Sequence, residues 1–410
     1  VRDLFSHWQQ LNTWLIQHRP FWQDAPFLSP VQAWHKRFPA LADWLSQQNA
    51  EACRTWHADP DALSEVLLSL LPSLAQRADL IALPPRELTA RPSPSLLTDT
   101  PQRKSQQAQH LVAALAPMSI PIADWCCGKG HLARALAAAS DQPVTGLELD
   151  AELVGAGNAL ARRFDVAVSL QQQDVLTYDC APHDPPHLVA LHACGALHQK
   201  LLQQAYAPSV QRISFSPCCY RAHNARITPF SSRVRAQPST LTLTQEQVRL
   251  MVRETVTAPG RVRALREQAN SWRLGFDGLQ RMLRQTDNYL PLPSHPQALM
   301  HGDFAGFCQW AANLRDLTLP ANTDFAHWQH YGEKRLLEVS QQELLRHLFS
   351  RPLELWRVLD YALFLEEQGL AVEISTFCPR TLTPRNILVD ARRRPHLVAG
   401  ATGCPQSAVG

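Results

Sequence analysis

The sequence predicts an α/β protein: a Rossmann-like seven-stranded sheet, preceded by a helical N-terminal domain and interrupted by an insertion after strand five. Three observations predict it. From residue 120 to residue 216, short apolar runs alternate with helical stretches, the rhythm of a parallel sheet covered on both faces. The first run ends in an acidic residue and a glycine turn, Asp124-Trp125-Cys126-Cys127-Gly128-Lys129-Gly130. Two further β-rich runs arrive only near the end of the chain, after a long polar stretch.

Residues 1–90 read as the helical domain. Phe5, Trp8, Leu11, Trp14 and Leu15 recur at helical spacing, as do Phe38, Leu41, Trp44 and Leu45. The tryptophans there are expected in a core and not as a base-stacking platform. Leu83-Pro84-Pro85 and Arg91-Pro92-Ser93-Pro94 break the pattern, so 91–104 reads as a linker. The sheet region 105–220 opens with a helix, Ser105–Leu115. Strand one is Ile120–Trp125, followed by a helix at His131–Ala139. Strand two is Val144–Leu149, with Glu152–Phe164 as its helix. Val166–Leu170 is strand three, His187–His192 strand four with the helix Leu197–Ala205, and Gln211–Ser216 strand five. The Arg-rich insertion occupies 221–340. Within 341–400, an amphipathic helix at Leu353–Gln368 precedes the runs Ala371–Phe377 and Asn386–Asp390, which complete the sheet.

Composition narrows the class. The chain is 45% hydrophobic and 18% charged, as soluble globular proteins are. No apolar run is long enough to span a membrane, and the first residues lack the layout of a signal peptide. Ten cysteines, some in adjacent pairs, are therefore expected as reduced thiols in a cytoplasmic protein. The formal charge of +3 is unevenly spread: Gln211–Gln285 holds thirteen arginines, no lysine and four acidic residues. Such a basic segment is the footprint of a nucleic-acid partner, and an RNA substrate is expected along Arg221–Arg284. The plainer alternative is a solvated surface. The oligomeric state is not legible.

The glycine turn indicates the chemistry. Without a Cβ the backbone can approach a ligand closely. Dinucleotide enzymes use G-x-G-x-x-G to set a pyrophosphate on a helix N-terminus. Here the third glycine is absent and Asp124 precedes the turn, placed to attract an ammonium group. That pattern favours S-adenosylmethionine over a nicotinamide. The expected cofactor contacts are Asp124, Cys126, Gly128 and Gly130. After strand two, Glu148 is expected on the ribose hydroxyls, with Asp150 as the alternative. After strand three, Asp174 is expected on the adenine amino group.

Ligands of open α/β sheets bind at the carboxyl ends of the strands. Strand four ends in His192-Ala193-Cys194-Gly195 and strand five in Pro217-Cys218-Cys219-Tyr220. His192 is the candidate base, and Tyr220 is a candidate to stack on a flat substrate. Cys194, Cys218 and Cys219 admit a thiolate attack on cytosine. With Cys126, Cys127, His131, His192 and His223 they also admit a metal site. No C-x-x-C pair supports either idea, so packing around the pocket is expected and no metal.

The runs D-W-C-C-G-K-G-H-L, L-H-A-C-G-A-L and S-P-C-C-Y resemble the class I methyltransferase domain shared by the eukaryotic methyltransferase-like 25 proteins and the acceptor-stem tRNA 2′-O-methyltransferases. Thr383-Pro384-Arg385-Asn386 is similar to that family's S-P-R-N. The resemblance covers about residues 105–220 and 350–390. It implies that Asp124, Gly128 and Gly130 contact the donor and that His192, Cys194 and Cys218 line the acceptor pocket. The chain departs from the tRNA enzymes in two respects: residues 1–90 carry only Cys53, and Tyr220-Arg221 stands where those enzymes have two histidines. The expected function is methylation of RNA, tRNA or rRNA. The rivals are a protein acceptor and a binding module that keeps the sheet without catalysis.

Overall fold

The computed structural model describes residues 3–89, 93–97, 100–220, 228–252 and 260–394. The chain divides into two compact units: Val1–Leu83 with Cys194–Ala196 and Cys218–Asp360, and Pro84–Ala193 with Leu197–Pro217 and Tyr361–Gly410.

The second unit holds the sheet. Its strands are β1 (Ile122–Trp125), β2 (Val144–Glu148), β3 (Val168–Gln172), β4 (His187–Leu191), β5 (Arg212–Ser216), β6 (Leu370–Thr376) and β7 (Ile387–Arg393). They are ordered β3-β2-β1-β4-β5-β7-β6. The first five strands run parallel, while β7 is antiparallel to β5 and to β6. The expected seven-stranded sheet is present, closed by the last two strands of the chain. Its order reverses between β1 and β4, the kind of switch point where ligands bind in open α/β sheets.

Apolar periodicity explains the layer beside the sheet. Leu111, Val112 and Leu115 of the helix Gln102–Leu115 join Leu132, Ala133 and Leu136 of the helix His131–Ser140 in one buried cluster with Ile122, Val144 and Val189. The β3–β4 connection, 173–186, has no helix. A groove lined by Ala123, Thr145, Leu147 and Gln171 lies on that side.

A buried ion pair fastens the late strands to the early ones. Arg212 meets Asp390 through Nε at 2.8 Å and Nη2 at 2.9 Å, and Ser214 Oγ donates to the same carboxylate at 2.7 Å. Arg212 Nη2 also donates to the Leu115 carbonyl at 2.8 Å. Burial alone would raise the Asp390 carboxyl, but the hydrogen bonds and charge of Arg212 hold it at about 2.

In the first unit, Trp8, Trp14, Trp22 and Trp34 are buried, as core residues should be. The N-terminal helices and the insertion belong to one unit, and the contacts show why. Gln341 Nε2 donates to the carbonyls of Ser46 and Gln48 at 2.9 and 2.7 Å. Arg346 Nε reaches the Trp22 carbonyl at 3.0 Å, and Arg77 Nε reaches that of Leu348 at 2.9 Å. The insertion is itself helical. Its two long helices, Gly260–Arg284 and Phe325–His347, approach closely enough that a Cβ on Gly275 would stand 2.6 Å from the Trp328 carbonyl oxygen. Among the described residues no helix is long and apolar enough to cross a membrane.

Candidate active site

The loop after β1 is built from left-handed backbone. Cys126 has φ 60°, Gly128 φ 57° and Gly130 φ 65°. An L side chain pays about 1–3 kcal/mol to sit there, so a non-glycine at Cys126 marks a conformation imposed by its surroundings. Gly128 faces open space, because a Cβ there would meet nothing within 4 Å. Gly130 is closed, because a Cβ there would stand 2.9 Å from Leu170 Cδ1. The turn thus has a free upper side and a packed lower one.

Sequence reasoning missed the residue that braces this turn. Arg134 is fully buried in the helix His131–Ser140. Its Nη1 donates to the Lys129 carbonyl at 2.8 Å, and its Nε to that of Leu96 at 3.2 Å. The signal was present in the sequence: one arginine in the otherwise apolar run Leu132–Ala139.

The acidic residues separate by role. Glu148 closes the cradle, with Oε2 accepting from the Gly128 N–H at 2.8 Å and Oε1 from the Asp150 N–H at 3.1 Å. Asp150 is engaged elsewhere, capping the helix Ala151–Arg163 by accepting from Glu152 and Leu153 N–H at 2.8 and 3.3 Å. Asp174 is half-buried and accepts from the Leu176 N–H at 2.9 Å. Asp124 is 2% exposed, and among the described residues its Oδ2 has no hydrogen-bond partner. Burial pushes its carboxyl up to about 7; the Ala133 N–H opposes this and the Glu148 charge adds to it. A buried carboxylate oxygen without a donor is a place for a ligand's cationic N–H, since leaving it unmet costs about 1–3 kcal/mol.

His192, three residues upstream of Gly195, is the second strained non-glycine of this unit's strand ends, with φ 69°. It lies at the carboxyl end of β4, the neighbour of β1. It is exposed by area, yet the surrounding protein and then the Lys104 ammonium lower its imidazole below the ordinary histidine range. The ring is therefore neutral near pH 7 and able to accept a proton.

One sequence expectation changes here, and one alternative loses support. Tyr220 is 1% exposed, and its hydroxyl donates to Glu354 Oε1 at 3.2 Å, so its ring offers no surface for stacking on a substrate. Thiolate attack on a cytosine ring is that alternative, and the thiols stand above their ordinary range. The Cys218 contact lowers the Cys194 thiol, while hydrogen bonding to Cys219 and burial raise it, leaving it at about 11. Burial, Asp124 and Glu148 raise the Cys127 thiol well beyond its ordinary range. No disulfide bond joins the cysteines of the described residues. Arg221, His223 and Arg226 lie outside the described residues.

Many of the arginines expected on a substrate surface hold the fold together instead. Arg235 donates to the carbonyls of Pro229 and Phe230, and Arg273 to those of Leu292 and Pro293. Arg281 bridges Asp277 and Asp287. Arg261, Arg263 and Arg266 differ: all three are exposed on the helix Gly260–Arg284, and no described acidic side chain pairs with them.

Residues 103–226 match a family model described as a methyltransferase domain. The match takes in β1 to β5. A class I domain of this kind takes its methyl group from S-adenosylmethionine, and the residues around the glycine turn fit that donor. The Asp124 oxygen, the open side of Gly128 and the Glu148 carboxylate would suit its ammonium, its close approach to the backbone and its ribose hydroxyls. No curated protein matches the chain. Among solved structures it is similar to the magnesium protoporphyrin IX methyltransferase of Synechocystis, with 17% identity over 28% of this chain and 55% of that one, at a TM-score of 0.23. It is similar to the geranyl diphosphate C-methyltransferase of Streptomyces coelicolor, with 17% identity over 33% and 57%, at 0.27. A third is a putative RNA methyltransferase of Pyrococcus horikoshii, with 15% identity over 32% and 69%, at 0.25. The chain thus spans little more than half the length of the first two.

Proposed function

We propose that this chain transfers a methyl group from S-adenosylmethionine to RNA. The reaction rests on the cradle of Asp124, Gly128, Gly130 and Glu148. The acceptor class rests on one observation: Arg261, Arg263 and Arg266 stand exposed and without described acidic partners on one helix.

The donor supplies an electrophilic methyl group on a sulfonium. Glu148 accepts from the ribose hydroxyls, Asp124 faces the ammonium, and Asp174 accepts from the adenine amino group. Methyl transfer needs orientation more than covalent help. Where the accepting atom is a hydroxyl, the neutral His192 ring takes its proton.

The test is RNA binding across a salt series. Each neutralised phosphate releases counterions, worth roughly 0.7 in the slope of log affinity against log salt on single strands. Replacing Arg261, Arg263 and Arg266 by Gln is expected to reduce that slope by up to about two, with donor affinity unchanged. A wild-type chain that binds RNA no better than a neutral control protein refutes the RNA assignment and favours a protein acceptor.

A further inference from the structure

We propose that Cys194, Cys218 and Cys219 together bind one thiophilic divalent cation of the zinc type, with a water molecule as the remaining ligand. The sequence argues against such a site, because no C-x-x-C pair is present. The fold supplies what the spacing does not. Parallel β4 and β5 are paired with Leu191 beside Ser216. Cys194 stands three residues beyond one strand end and Cys218 two beyond the other. Gly195, at φ 59°, turns the chain immediately after Cys194. Residues far apart in sequence are thereby delivered to one place.

The three thiols are gathered in one place, although Cys194 and Cys218 must move apart by about 1 Å to hold a cation between them. The three Sγ atoms lie within 4.8 Å of one another. Tetrahedral coordination with bonds of about 2.3 Å places thiolates roughly 3.8 Å apart, inside that span. Cys194 Sγ and Cys218 Sγ stand 2.7 Å apart, beyond the roughly 2.0 Å of a disulfide bond. Packing three thiols this closely has no apolar rationale, since none of the three is fully buried. A shared cation gives the arrangement a cause: binding displaces three thiol protons to solvent and sets one positive ion among three thiolates. Soft sulfur donors select zinc-like ions over magnesium or calcium. Cys194 is exposed, so the fourth position is open to water, the arrangement of three protein ligands and one exchangeable site found in reactive zinc centres.

The experiment uses the full chain, reduced and stripped of metal, titrated with cadmium as the spectroscopic probe and with zinc in competition. One cadmium per chain is expected, with an ultraviolet thiolate-to-cadmium charge-transfer band that zinc abolishes. Cys194→Ser, Cys218→Ser and Cys219→Ser should each weaken binding by more than about 100-fold, beyond the range for losing an outer-shell partner. Cys180→Ser should bind as the wild type does. The wild-type band is read independently of how well any variant folds, and circular dichroism checks each variant. A wild-type chain that shows no thiolate band, or a band that persists in all three serine variants, overturns the site.

Discussion

The buried carboxyl of Asp124 makes donor binding dependent on pH in a predictable sense. Burial raises this group from 3.8 to about 7. A raised carboxyl is neutral in the folded protein over a range where it is ionised in the unfolded chain. It therefore costs stability as pH rises from about 4 to about 7, and the full cost is present above that. At about 1.4 kcal/mol for each pH unit the cost approaches roughly 4 kcal/mol. A donor ammonium placed against Oδ2 favours the ionised form. Below about pH 7 the carboxyl must give up its proton for that contact to form. Calorimetric titration with S-adenosylhomocysteine, which keeps the ammonium, should show affinity falling by up to tenfold per pH unit below about pH 7. Above it, affinity should be flat. Asp124→Asn should be flat throughout, bind about 1.5–3 kcal/mol more weakly at pH 8, and resist unfolding there better than wild type. A wild-type affinity independent of pH from 5.5 to 8.5, or an equal slope in Asp124→Asn, refutes the role assigned to this carboxylate.

Other outcomes follow from the same contacts. Glu148→Ala should weaken S-adenosylhomocysteine binding by about 1.5–3 kcal/mol, measured by calorimetry, because it removes a charge-assisted acceptor. Asp390→Asn breaks a buried pair and strands Arg212, so denaturant unfolding should lose about 3–5 kcal/mol. Because Asp390 titrates at about 2 when folded, its contribution is complete above the usual carboxylate range. It is lost as pH falls through about 2, and wild type should show that loss in acid unfolding while Asp390→Asn should not. Arg134→Met keeps an unbranched stem but removes the guanidinium and frees the Lys129 carbonyl. Donor affinity should fall without a change in the pH at which it falls.

The sheet was legible because most of its strands are short, apolar and followed by a helix or a turn residue. β1, β2, β4 and β5 lie within a residue or two of their sequence expectations. β3 is displaced by two residues toward Gln171 and Gln172, because it is an edge strand with exposed polar positions where apolar content is a poor guide. The insertion read only as an interruption. Its long helices bury Ala269, Trp272, Phe276 and Leu279 at helical spacing, but polar residues between them and the glycines at their crossing dilute the pattern. The sequence favours Glu148 over Asp150 without showing why; the structure puts the first on the glycine turn and the second on a helix end. The Arg212–Asp390 pair joins residues 178 positions apart, and no local pattern announces it. The meeting of Cys194 with Cys218 is set by strand register, which single-chain spacing does not encode.

The most direct measurement incubates the purified chain with isotopically labelled S-adenosylmethionine and a mixture of cellular RNA and protein, then separates the two. Label should enter RNA, be recovered on nucleosides after digestion, and disappear with Glu148→Ala. Label confined to protein, or absent from both fractions while the chain binds the donor, contradicts the account.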